Sequence, residues 1–287
     1  MKKQLVISKR VIDDSASFKG GTMLKRFISS VVALPLLLII VLLGGRYIQG
    51  AAMILSLMGL YEFYHAFRQA GYQPSAKLGY TYTIILYGLG FMDVGPTVYI
   101  AVVFMFLYNV LIYNVLSKHE AILDMALTFL GFFYVAFSFF HIALIASIDN
   151  NFFIWYIFIL AWGSDTFAYF AGRLFGKHKL IEHVSPKKTI EGAVGGLIGA
   201  GLLSVLFAYL FRPSFMPYAF FLGLIGSVLA QSGDLIASKI KRYCGIKDFG
   251  KIMPGHGGVL DRFDSIILTG PFIYYFIFLY MKFAPIM

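Results

Sequence analysis

Apolar stretches of roughly 20 residues recur along this chain from Phe27 to its end, each about the length a helix needs to cross ~30 Å of hydrocarbon. Inside lipid every backbone N–H and C=O must be satisfied within the protein, and runs of this length meet that demand as α-helices. The expected fold is therefore all-α, a polytopic integral membrane helical protein of about nine transmembrane helices. The expected spans are Phe27–Leu43, Ile48–Phe67, Lys77–Met92, Pro96–Leu116, Ile122–Ser147, Phe152–Ala171, Glu191–Phe211, Pro217–Ala237 and Asp264–Met281. With 59% hydrophobic and 13% charged residues, a water-soluble chain would have nowhere to put its apolar surface.

Lys and Arg near span ends are retained on the cytoplasmic side, so their distribution orients the chain. With a cytoplasmic N-terminus, one side receives Lys2, Lys3, Lys9, Arg10, Lys19, Lys25, Arg26, Arg68, Lys77, Lys118, Arg173, Lys177, Lys179, Lys187 and Lys188. The same side receives Lys239, Lys241, Arg242, Lys247, Lys251 and Arg262, while the other receives only Arg46, Arg212 and Lys282. The net charge of +10 is thereby explained as a topology signal, and no nucleic-acid role is assigned. Basic loops beside the membrane also attract anionic lipids and solutes. The single cysteine, Cys244, excludes an intramolecular disulfide and a cysteine-rich metal site.

The chain is expected to divide into three parts. Residues 1–22 read as a disordered cytoplasmic tail, and the polar-to-apolar break at Met23 resembles a natural start for a membrane protein. The first apolar run has no clear small-residue cleavage site and is expected to stay as an anchor. Residues 23–150 read as a transmembrane scaffold, joined by short loops with few ionisable groups. Glu62 and His65 are the exceptions, three apart near the cytoplasmic end of the second span, and are read as interfacial and structural. Residues 151–287 carry the polar chemistry in two large cytoplasmic loops. The seventh span begins with overlapping small-xxx-small pairs from Gly192 to Gly199, a spacing that lets helices approach closely. No Gly-Lys-Ser/Thr element follows, which argues against a phosphate-binding glycine loop there.

The richest stretch runs from Gln231 to Ser265. Asp234 ends one apolar span, and Asp261 and Asp264 open the next at i,i+3, a spacing that lets both point from one helical face. Hard oxygen ligands on adjacent helix ends are suited to holding Mg²⁺ against substrate phosphates. For Asp264 an N-cap role is the alternative. Around these carboxylates stand Ser238, Lys241, Arg242, Lys247, Asp248, His256, Gly257, Gly258 and Arg262. Backbone amides at Gly257-Gly258 can form an anion nest, and Lys or Arg can neutralise phosphate charge.

The run Ser238-Lys-Ile-Lys241-Arg242, then Lys247-Asp248-Phe249-Gly250, then Pro254-Gly-His256-Gly257-Gly258-Val-Leu-Asp261-Arg262-Phe-Asp264 resembles the signature of the phosphatidate cytidylyltransferases, or CDP-diacylglycerol synthases. Met253 departs from it, standing where the pattern has Leu, Ile or Phe. Two further segments are similar to the same family: Asp165-Thr-Phe-Ala-Tyr169-Phe-Ala-Gly172-Arg173-Leu-Phe-Gly176 and Ser185-Pro186-Lys187-Lys188-Thr189-Ile-Glu191-Gly192.

The resemblance implies a Mg²⁺-dependent reaction of CTP with phosphatidic acid, giving CDP-diacylglycerol and pyrophosphate, at the cytoplasmic face of a bacterial-type inner membrane. It also implies a homodimer, and leaves a second cation open. In that setting Asp234, Asp261 and Asp264 are expected to hold the metal, with Asp165 and Glu191 as additional or supporting groups. Lys241, Arg242, Lys247, His256 and Arg262 are expected to contact phosphates. Ser185, Lys187, Lys188 and Thr189 would close the pocket from the preceding loop, alongside Ser238, Gly257 and Gly258. A phosphate monoester is already an ionised nucleophile near neutral pH, so such chemistry needs alignment and charge neutralisation more than a strong base. The rival readings are a CTP-dependent lipid kinase, a CDP-alcohol phosphotransferase, whose Asp-Gly-x-x-Ala-Arg element is missing here, and a transporter, whose ionisable groups would be spread through the midplane.

Overall fold

The computed structural model describes residues 31, 34–92, 94–117, 122–148, 151–252 and 257–283. The expected tail 1–22, most of the first expected span before Leu34, Lys118, Pro254 and His256 lie outside these residues. Among the described residues there are nine helical rods: α1 Leu34–Leu43, α2 Gly45–Gln69, α3 Ala76–Gly90, α4 Pro96–Leu116, α5 Ile122–Ala146, α6 (154–175), α7 Ile190–Phe211, α8 Met216–Tyr243 and α9 Leu260–Phe283. Each coincides with one expected span. By length and composition five are able to cross a bilayer on their own: α4, α5, α7, α8 with the turn before it, and α9. Among the described residues those two measures single out five helices, and the expected count of nine crossings is not confirmed by them.

Local sequence explains several helix ends. Gly44, at φ +67°, breaks α1 from α2, a conformation glycine adopts without steric cost. Pro96 opens α4 at a position where its missing N–H costs nothing. Thr189 caps α7, its hydroxyl accepting from Gly192 N at 3.1 Å. Two rods contain π-helical stretches, Phe132–Phe137 in α5 and Ile159–Gly163 in α6.

Outward-facing Leu, Ile and Phe side chains are abundant, as on Leu206, Leu210, Phe221 and Phe278, and suit contact with acyl chains. The interior is aromatic, with Phe63, Tyr64, Phe106, Phe139, Tyr156 and Phe215 fully buried. Lipid gives helices no hydrophobic reason to associate, so close approach must come from small residues. The glycine pairs of α7 serve that purpose within the chain: Gly195 lies against Ala171 and Gly199 against the Phe167 ring, with no room for a Cβ at either. That packing joins α7 to α6, so these glycines are spent on an intramolecular seam.

Contacts sort the loops into two ends. At one end, Gln73 N and Ser75 N donate to Asp124 Oδ1 and Thr128 Oγ1, both at 2.8 Å, and the Tyr72 and Tyr243 hydroxyls are hydrogen bonded. At the other, Gln49 Nε2 donates to Ser147 Oγ at 3.2 Å, and the Arg212 guanidinium sits 5.5 and 5.6 Å from the Phe152 and Phe153 ring centres. The first end also carries a two-stranded antiparallel hairpin, β1 Lys179–Ile181 and β2 Ser185–Thr189. The described residues singled out from the loop sequences lie toward this basic end.

Candidate active site

Asp234 and Asp264 meet where α8 and α9 cross. Gly233 packs on the backbone of Asp264 so closely that a Cβ would strike its carbonyl, and this approach sets the two carboxyl groups beside one another. Asp264 is 9% exposed. Its Oδ1 accepts from the following amide, Ser265 N, at 2.7 Å. It does not cap the helix: α9 starts at Leu260, four residues earlier than hydropathy suggested, because Leu260–Phe263 already pack in helical geometry. Lys188 reaches across from β2 and pairs with Asp234 Oδ2. Asp165 of α6 faces the same lysine and Asp234. Asp165 and Asp234 thus share the Lys188 ammonium, while the lysine acting on Asp264 is Lys241.

Asp261 is engaged elsewhere. Its Oδ1 receives Lys241 Nζ at 2.7 Å, and its Oδ2 receives Phe249 N at 2.7 Å and Gly258 N at 2.9 Å. The pair is well enclosed, with Lys241 and Asp261 side chains 13% and 3% exposed. At i,i+3 the two side chains are offset by about 60° around the axis, so Asp261 meets the loop and Lys241 in the last turn of α8, while Asp264 meets α8 further back, at Gly233. Among the described residues no three Asp, Glu, His or Cys side chains gather where they could hold one metal ion.

The anchor of this loop is Glu62, which sequence reasoning read as interfacial. It is 1% exposed, and its two carboxyl oxygens accept from Val259 N and Leu260 N, each at 2.9 Å. These are unpaired first-turn donors of α9, a group every helix start must satisfy. The carboxyl group also fills the space where Gly250 and Gly258 would carry a Cβ. Gly257 takes φ +86°, as expected for an anion nest, yet the amides that follow are bound by the protein's own carboxylates. The signal that could have found Glu62 was its ionisable side chain inside a span. His65, its expected companion, turns outward to stack on Tyr61 and meet Gln69.

On the hairpin side a cleft of about 330 Å³ is lined by Asp165, Tyr169, Arg173, Lys187, Lys188, Thr189 and Gln231. Gln231 is braced at its floor, donating to Ala193 O at 3.1 Å and to the Ser164 and Ser227 hydroxyls at 3.3 Å. Thr189 lines the cleft while capping α7. Glu191 bends back to hold the turn before β1, accepting from Lys177 N at 3.1 Å and meeting His178 Nδ1 at 2.6 Å, away from the aspartates. Ser185 begins β2 and is half-buried. Ser238 lies one turn beyond Asp234 on α8, and Arg242, Lys247, Asp248 and Arg262 are exposed. Cys244 is buried, which pushes its thiol up to about 11, so it is no nucleophile at neutral pH.

A model of the cytidylyltransferase family matches residues 24–280. This chain belongs to the cytidylyltransferase family. It is 34% identical over 251 residues to the phosphatidate cytidylyltransferase of Staphylococcus haemolyticus, covering 86% of this chain and 96% of that protein. It is 36% identical over 254 residues to that of Staphylococcus aureus strain COL, with coverage of 86% and 96%. Against the phosphatidate cytidylyltransferase of Synechocystis the identity is 32% over 290 residues, with coverage of 89% and 96%. The matched range takes in both polar loops and also α2, the helix that supplies Glu62.

Proposed function

We propose that this protein transfers the cytidylyl group of CTP to phosphatidic acid, releasing pyrophosphate and forming CDP-diacylglycerol, at the cytoplasmic face of a bacterial inner membrane. The observation that carries the reading is the Asp234–Asp264 pair set opposite Lys188 of the hairpin, at the basic end of a helical bundle. One substrate is held in lipid and the other dissolves in water, so they can meet only at such an end. In this reading Lys188 and Lys187 neutralise triphosphate charge on the hairpin side, and the cleft beside Asp165 and Gln231 accommodates the nucleotide. An ionised phosphate oxygen of the lipid attacks the α-phosphorus while pyrophosphate leaves. The protein's work is to align the two phosphates and balance their charge.

The donor set fits Mg²⁺, a cation bound through one or two carboxylates and completed by substrate phosphates and water. Asp234 and Asp264 would hold it, with Asp165 nearby. Bound there, Mg²⁺ would supply positive charge to the phosphate oxygens. Asp261, occupied by Lys241 and two amides, is a positioning residue in this reading, and Glu191 holds the turn that leads into the hairpin.

The test uses purified protein in mixed micelles of detergent and phosphatidic acid, with CTP labelled in the cytidine moiety or at the γ-phosphate. Cytidine label should enter the organic phase, and γ-label should appear only in pyrophosphate. EDTA should stop the reaction and Mg²⁺ restore it, and Asp264→Asn should be inactive while remaining folded. Transfer of γ-label to lipid without cytidine would replace this reading with a lipid kinase.

A further inference from the structure

Tyr134 lies in the π-helical stretch of α5, within the half of the chain expected to be scaffold. Its hydroxyl oxygen is buried and, among the described residues, has no hydrogen-bond partner. The carboxyl groups of Asp264 and Asp234 are near enough to act on it. Its ring rests on Phe63, the neighbour of Glu62, with centroids 6.1 Å apart.

An unpaired buried hydroxyl costs free energy that a phenylalanine of nearly the same volume would avoid. The other deeply buried tyrosines show that this bundle does pair such groups. Tyr64 donates to Thr128 O at 3.0 Å, Tyr87 bonds the Ser56 hydroxyl at 2.8 Å, and Tyr156 donates to Ser204 O at 3.3 Å. Tyr134 stands apart from them in having its hydroxyl beside the aspartate pair. A π-helical turn shifts the residues that follow it around the helix axis, costs regular hydrogen bonding and is frequent at functional sites. Here it includes Tyr134, on whose hydroxyl Asp264 and Asp234 act.

We propose that Tyr134 is a substrate-contacting residue, whose hydroxyl donates a hydrogen bond to a phosphate oxygen held at Asp234 and Asp264. The inference rests on the cytidylyl-transfer reading. A neutral donor suits the position, because it adds a hydrogen bond to phosphate without forming an ion pair with either aspartate. The phosphate is that of phosphatidic acid or of CTP, and steady-state kinetics separate the two. The structural alternative is that the hydroxyl turns to Asp264 and serves only to hold it.

Tyr134→Phe keeps the ring contact with Phe63 and removes only the donor. It is to be compared with wild type in mixed micelles, varying phosphatidic acid at saturating CTP and then the reverse, with thermal unfolding of both proteins measured in parallel. The expected result is a kcat/KM lowered at least about tenfold, the loss typical of a hydrogen bond to a charged group, with an unchanged or raised melting temperature. A raised KM for phosphatidic acid assigns the donor to the lipid phosphate, and a raised KM for CTP assigns it to the nucleotide. A fall in kcat alone assigns it to charge developing during transfer. Rates within twofold of wild type would overturn the inference, and so would a loss of rate matched by a drop in melting temperature. If wild type itself forms no CDP-diacylglycerol, the cytidylyl-transfer reading fails, and the role of Tyr134 fails with it.

Discussion

Replacing Glu62 by Gln tests whether a residue of the N-terminal half holds the loop at the site. The Glu62 carboxyl group receives two backbone amides at 2.9 Å, from Val259 and Leu260, and is 1% exposed. Gln offers one carbonyl oxygen and one amide group, so it can accept from only one of the two donors and presents N–H to the other. One hydrogen bond to a charged group, worth roughly 1.5–3 kcal/mol, is lost, and a buried N–H is left unpaired at a cost of about 1–3 kcal/mol. The combined penalty, about 2.5–6 kcal/mol, falls on the first turns of α9, which also carry Asp261 and Asp264. Those turns need not unfold to stop the reaction, since a displacement of ~1 Å can cost on the order of 100-fold in rate. Glu62→Gln should therefore lower CTP-dependent lipid labelling at least about 100-fold, with a reduced melting temperature and faster proteolysis between Phe249 and Leu260. Wild-type activity with unchanged melting would refute the reasoning, because it would mean the two amides do not depend on the carboxyl group.

Two further outcomes follow from the same geometry. Lys241→Met and Asp261→Asn should each destabilise the protein by about 3–5 kcal/mol, the range for stripping one partner from a buried ion pair. Denaturant unfolding of the double variant should show a coupling of about 1–3 kcal/mol, and strict additivity would contradict the pairing. Thr189→Ala should cost about 1 kcal/mol of stability through loss of the α7 cap. Thr189→Asn, which keeps an acceptor at that position, should restore both stability and activity, and restored stability without restored activity would place Thr189 against substrate instead.

Hydropathy located the helical rods to within a few residues at most ends, because a bilayer imposes one length and one polarity on every segment that crosses it. The largest consequential shift was at α9, where Asp261 and Arg262 interrupted the apolar run and hid the first turn. That shift moved Asp264 off the helix start and onto the face that meets Asp234. The glycine run of α7 was legible as a packing surface, but its partner was not. The spacing is the same whether the opposing helix is α6 of this chain or a helix of another copy.

The roles of the carboxylates were less legible than their presence. Asp234 and Asp264 are joined because Gly233 lets α8 and α9 touch, whereas Asp261 is drawn off by Lys241 and by amides of the loop. Residue type alone does not distinguish an aspartate bound by its own protein from one facing a substrate. Glu191 and Thr189 illustrate the same point, one holding a turn and the other capping a helix while lining a cleft.

The amino-acid sequence by itself determined the solvent, the helical class, the basic end and the family, since each depends on local composition or on a contiguous motif. Only the tertiary structure decided which charges meet. Glu62 and Leu260 are 198 positions apart, and a hydrogen bond over that separation is set by how the rods pack, a property no local window of residues contains.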